Sequence, residues 1–159
     1  AGERVRQLPA DVVVAPDGTG NYTSIEQAVS AIPMNSPERV VVLIRNGTYH
    51  EKVRIDAHRV TLRGESRDGV RIEYEQGRAE FDGHPDELGF AVINIFGDDV
   101  ILENLTVENL YPNVGPHAFA VVGRGTRTII QNADCHSMGA DTVSLWDDLT
   151  GMYTTRTAR

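Results

Sequence analysis

Asp141 is the side chain whose position most invites chemistry. It follows Gly139-Ala140 and opens the apolar run Thr142-Val-Ser-Leu-Trp146. A carboxylate at the edge of a dry stack of strands has a raised pKa and moves protons. A carboxylate in a turn caps backbone amides instead, and the residues alone favour this second reading. Asn104 and Asn132 sit at matched places in a repeat described below, where an inward amide stack satisfies buried polar groups. Cys135 matches Val107 and reads as a small buried hydrophobe rather than a nucleophile. The five histidines, His50, His58, His84, His117 and His136, have no metal-site spacing with one another or with the cysteine. Asp98-Asp99 and Asp147-Asp148 read as solvated turn residues, because calcium requires several more oxygen ligands. Asn21, Asn46 and Asn104 open glycosylation-type triplets and are read as unmodified.

The elements that position these residues are mostly short strands. Asp11 to Ala15 is β-rich, and Pro16 to Asn21 is turn chemistry. Thr23 to Ile32 is the one convincing helix, with Thr23 and Glu26 at capping-box spacing. Ile25, Ala28, Val29 and Ile32 form its apolar stripe, and Pro33 ends it. Val40 to Ile44 suits a strand buried on both faces. Lys52 to Ile55, Val60 to Leu62 and Val70 to Ile72 alternate with period two, and residues 75–89 read as a loop. The stretch from Phe90 then recurs from Ala118 at an offset of 28 residues: Gly97 falls on Gly125, Leu102 on Ile130 and Asn104 on Asn132. Such a period, built of strands and turns, predicts a solenoid of stacked coils, best read as a parallel β-helix. An antiparallel sandwich is the alternative. The helix then covers the open N-terminal end of the stack.

Composition narrows the partners. The chain has 159 residues and a formal charge of −8, with a pI near 5.0. Such a surface argues against nucleic acid or anionic lipid. No apolar run approaches the roughly 18 residues of a membrane span. One cysteine excludes an internal disulfide framework. The first residue is Ala1, which fits a removed signal peptide or a trimmed chain equally.

Several ordered stretches together resemble the pectin methylesterase (pectinesterase) family. Val13-Val-Ala-Pro-Asp17-Gly-Thr-Gly-Asn-Tyr22 and the helix after it, Gly47-Thr-Tyr49-His-Glu51, Val60-Thr-Leu-Arg-Gly64, Val92 to Gly97 and Glu103 to Asn109 follow the family's order. His117-Ala-Phe-Ala-Val121 and Ala140-Asp141-Thr142 occupy the places of its Gln-Ala-Val-Ala-Leu and Gln-Asp-Thr motifs. The resemblance implies an all-β, right-handed parallel β-helix of the pectin-lyase-like kind with a short N-terminal capping helix. It implies a single domain over 1–159, cut on its C-terminal side. It also implies a secreted or periplasmic carbohydrate esterase that needs no cofactor and hydrolyses methyl esters of pectin or a related polyuronide.

In that chemistry one aspartate attacks the ester and a second donates a proton to methanol, in unlike environments. Asp141 matches the acid/base member. His117, Ala140 and Thr142 fall at the oxyanion and substrate-groove positions, and Tyr49, Glu51 and Trp146 are candidates for binding substrate. His117 and Ala140 stand where the family has glutamines that steady the oxyanion. Losing one such donor typically costs about 10²–10³ in rate. The family's nucleophile and arginine motifs do not occur before Arg159, and Gly151-Met-Tyr-Thr-Thr is similar to the start of the coil leading to the nucleophile. An open C-terminal coil edge implies self-association. The alternative is a non-catalytic β-helix that binds polysaccharide.

Overall fold

A computed structural model describes residues 8–146 and the backbone of residues 157 and 158. Asp147-Asp148 and the Gly151 stretch lie outside the described residues. In chain order the elements are β1 (Val12–Val14), α1 (Ile25–Ser30), β2 (Val40–Ile44), β3 (Gly47–His50), β4 (Val53–Ile55), β5 (Val60–Gly64), β6 (Val70–Tyr74), α2 (Arg78–Gly83), β7 (Ile93–Ile95), β8 (Ile101–Asn109), β9 (Val121–Gly123), β10 (Ile129–Ser137), β11 (Val143–Leu145) and β12 (Thr157–Ala158). Every strand pairing is parallel. One sheet runs β1-β2-β5-β8-β10-β12, with β3 and β6 on a branch that joins β8; the other runs β11-β9-β7-β4. The chain is a right-handed parallel β-helix, the hand that crossovers between parallel strands take.

Stacking converts the repeat into columns of like side chains. Ile130 lies over Leu102, Leu102 over Leu62 and Leu62 over Val42, all buried. Tyr49, Ile72, Val107 and Cys135 form a second column. Burial pushes the Cys135 thiol up to about 11, so it stays protonated and inert.

The corner between the two halves of β8 is one residue. Asn104 has φ 57°, and Asn132 repeats it at 46°; asparagine tolerates this left-handed region better than most side chains. In the preceding coil the same corner takes the five residues between β5 and β6. Asn104 Nδ2 donates to the Gly64 carbonyl at 2.9 Å, and Asn132 Nδ2 donates to Asn104 Oδ1 at 2.7 Å. The amide stack expected between coils is present. Residue 64 must be glycine, because a Cβ there would lie 1.9 Å from the Asn104 carbonyl oxygen.

The helix covers the stack as expected, but its cap differs. Ser24, not Thr23, is the N-cap, and its hydroxyl accepts from the Gln27 amide at 3.3 Å. The Glu26 carboxylate does not return to the cap. It accepts the Arg54 amide of β4 at 2.9 Å and so ties the helix to the coil. Burial raises the Glu26 carboxyl, and that amide bond works against the rise.

Residues 75–89, read above as loop, contain α2. The helix has no buried residue and no side-chain N-cap bond, so no apolar period announces it. Its neighbourhood is fastened through Lys52, a side chain only 3% exposed. The ammonium donates to Gln76 Oε1 at 2.8 Å, to the Gly89 carbonyl at 2.9 Å and to Asp86 Oδ2, and lies 5.4 Å from the Phe81 ring centre. A buried charge is tolerated when paired and hydrogen-bonded in this way.

Two outcomes follow. Leu102→Ala removes a fully buried side chain from the middle of its column and should lower unfolding free energy by about 2–5 kcal/mol; a urea midpoint close to that of the parent would refute the column. Burial alone raises the Asp86 carboxyl, but the Lys52 bond and the Gly89 and Leu88 amides outweigh it and hold it below the usual range. A folded value below the unfolded one stabilises fully above the unfolded value and drains as pH falls through the folded value. Below about pH 4, the parent should therefore lose stability more steeply than Asp86→Asn. Parallel stability–pH curves would contradict this.

Candidate active site

Turns between strands bring the candidate residues together. Residues 115–119 and 138–142 lie side by side through a parallel bridge between Gly115 and Gly139. The Ala140 amide donates to the Pro116 carbonyl at 3.2 Å, and the Gly139 amide donates to the Ser137 hydroxyl at 2.9 Å. The Thr142 carbonyl accepts from Ala120 and Val121 at 2.9 and 3.2 Å. This pairing sets Asp141 beside His117, with Nδ1 3.2 Å from Oδ2. Both side chains are more than half exposed, at 55% and 58%, so Asp141 is not at a dry edge in this state.

An aromatic row leads away from the pair. The His117 ring stacks on Phe119 at 5.7 Å and 5°. Phe119 meets Phe90 at 5.2 Å, and Phe90 meets Phe81 edge-on at 5.9 Å. The Arg78 guanidinium lies 4.1 Å from the Phe90 ring centre, a favourable cation–π position. The row is held from beneath by the buried Asn109 amide. Nδ2 donates to the Phe119 carbonyl at 3.0 Å and to the Gln76 carbonyl at 2.8 Å, while Oδ1 accepts the Gln76 and Tyr111 amides. The Arg78 amide donates to the His117 carbonyl at 2.8 Å, which seats α2 against the turn. The result is a cleft of ≈ 280 Å³ lined by Arg78, Phe90, Phe119, Arg124, Asp141 and Trp146, among others. The cleft joins an apolar floor to one carboxylate and two guanidinium groups, an apolar concavity with a few convergent polar groups of the kind that binds small ligands.

The sequence-derived candidates divide between the cleft and the scaffold. Asp141 and Trp146 line the cleft and His117 stands beside it. Thr142 lends its carbonyl to the ladder, and Ala140 has spent its amide on Pro116, so neither its side chain nor its N–H supplies an oxyanion donor. Tyr49 and Glu51, expected to bind substrate, do structural work instead. Tyr49 is 4% exposed and heads a core column, its hydroxyl donating to the Arg45 carbonyl at 2.7 Å; burial pushes its phenol up to about 12. The Glu51 carboxylate accepts from the Ser24 hydroxyl and from the Ile25 and Glu26 amides, and so caps α1. A carboxylate at these amides satisfies donors that the helix leaves unpaired.

Arg78, Phe90, Phe119 and Arg124 were not singled out from the sequence. Their signal was present but faint: Phe90 and Phe119 each stand shortly before a core strand, and Arg124 directly follows one.

Known proteins share this fold. The Pectinesterase family profile matches residues 11–145. A pectinesterase/pectinesterase inhibitor from Ficus pumila var. awkeotsang is 33% identical over 123 residues, covering 74% of this chain and 21% of that protein. Pectin methylesterase from carrot superposes with a TM-score of 0.74 at 21% identity, covering 90% of this chain and 44% of that one. The enzyme from Aspergillus niger gives 0.71 at 26% identity, with 90% and 48% covered. The chain thus spans from about a fifth to about half of the length of these relatives. A family profile that matches residues 11–145, most of this chain, on the fold described above, places the chain in the pectinesterase family.

Proposed function

We propose that the polypeptide carrying this chain hydrolyses methyl esters of pectin, with Asp141 as the carboxylate that transfers protons. The carrying observation is Asp141 at a cleft that has an aromatic floor and two arginines. Aromatic faces suit the C–H surfaces of sugar rings. Arg78 and Arg124 suit the free carboxylates of a partly esterified polyuronide, because guanidinium matches carboxylate in shape and charge. Pectin methylesterase has been solved in complex with a hexasaccharide, which supports an extended sugar ligand for a cleft of this fold.

The paired nucleophilic aspartate and the arginine fall in family motifs that residues 1–159 do not contain, so the reading is of the longer polypeptide. Its working place is outside the cell, where pectin is found, and among the described residues no helix is long and apolar enough to cross a membrane. The charge of −8 is compatible with holding a largely neutral esterified substrate and releasing an anionic product. A second reading, a binding module without turnover, is favoured by one observation: Ala140 offers no oxyanion donor.

Methanol release from methyl-esterified polygalacturonan decides between them. In the full-length polypeptide, Asp141→Asn should lower kcat by about 10²–10⁴ while polysaccharide binding persists. Undiminished turnover would sink the role of Asp141, and binding without turnover in the parent would favour the module.

The isolated 159-residue chain should release no methanol and should self-associate. Among the described residues, β12 covers β10 only at Ile130 and Gln131, and β11 ends its sheet. Sedimentation that shows a monomer at high concentration would overturn the association.

A further inference from the structure

The contact between His117 and Asp141 says more than that two polar groups are neighbours. Among the described residues, each is the other's one charged partner, and Nε2 of His117 has no hydrogen-bond partner. The ring runs parallel to that of Phe119, with 5.7 Å between the ring centres. Its carbonyl and the turn of Asp141 are held by separate backbone bonds, from Arg78 and to Pro116. The other charged residues lining the cleft are the cations Arg78 and Arg124. A 3.2 Å separation lies within a small rotation of a hydrogen bond, and such bonds tighten when substrate arrives.

We propose that His117 and Asp141 form one proton-sharing unit, in which Nδ1 fixes the carboxylate and Nε2–H is the oxyanion donor of the site. The inference rests on the esterase reading above. With one proton between Nδ1 and Oδ2, the unit is an imidazolium beside a carboxylate or a neutral imidazole beside a carboxylic acid. Nε2 keeps its hydrogen in both forms. The ring therefore offers an N–H to the developing oxyanion whichever atom holds the shared proton. It supplies from one side the donor that Ala140 lacks.

The proton balance closes. A carboxylate of the same polypeptide adds to the ester carbonyl. As the adduct collapses, the bond from carbon to the methoxy oxygen breaks and its electron pair stays on that oxygen. The oxygen takes the shared proton through Asp141 and leaves as methanol. Water then attacks the acyl group, gives a proton back to Asp141 and releases the nucleophilic carboxylate.

Two measurements test the unit independently. ¹⁵N spectra of the imidazole show which ring nitrogen bears hydrogen. At alkaline pH, once the shared proton is gone, the remaining hydrogen should sit on Nδ1, facing the carboxylate, and in Asp141→Ala, which leaves no acceptor there, it should move to Nε2. The same tautomer in both overturns the proposal whatever the turnover. In the full-length polypeptide, His117→Ala should lower kcat by about 10²–10³ with KM little changed. His117→Gln, which restores an N–H donor, should recover at least about tenfold of that loss. An unchanged kcat in His117→Ala also overturns the proposal. A tautomer shift in a parent that releases no methanol sinks the esterase reading and leaves the proton-sharing unit standing.

Discussion

One register governs this molecule. In a parallel stack each strand takes its hydrogen bonds from the coils above and below, so a slip of one residue turns core side chains outward. The pairing of Ile101 with Ile129 and of Asn109 with Ser137 is therefore a single constraint that runs the length of two nine-residue strands. The core columns, the asparagine corner and the spacing of the turns are all consequences of it. So is the site: Asp141 meets His117 because the 138–142 turn follows a strand whose register is already set.

The site is nevertheless built where the register ends. Its floor comes from Phe90 and Phe119, which precede core strands, and from α2, which belongs to no sheet. Three polar anchors hold these parts. Lys52 fastens the approach and exit of α2, Asn109 binds the backbone beneath Phe119, and the Arg78 amide joins the helix to the His117 turn. Each anchor satisfies buried groups that would otherwise cost stability. The stack supplies rigidity, and these anchors transmit it to residues outside the ladder.

The same division explains what the sequence disclosed. The 28-residue repeat was legible because stacking demands equal spacing, and Asn132 bonding Asn104 is its direct product. Helix α1 was legible from its apolar stripe, but its cap shifted by one residue, since Ser24 shares its end of the helix with Glu51 from 27 residues away. No local pattern reveals such a partner. The α2 helix has no stripe and depends on Lys52 and the His117 turn, so periodicity missed it. Tyr49 and Glu51 drew attention as a motif, yet one fills a column and the other ends a helix. Asp141 and His117 were legible by motif position, whereas Phe90, Phe119, Arg78 and Arg124 become a cleft only when four separate segments converge.

The asparagine corner gives the stack a direction. Gly64 accepts from Asn104, and Asn104 accepts from Asn132. Every amide in the row points its hydrogens toward the N-terminal coils and its oxygen the other way, so the dipoles add head to tail. The row thus presents an acceptor at Asn132 Oδ1, and whatever meets that face, water or another coil, must bring a donor. A parallel stack built this way is a vector as well as a repeat: its two ends are chemically different, and a coil joining at either is read for polarity before it is read for shape.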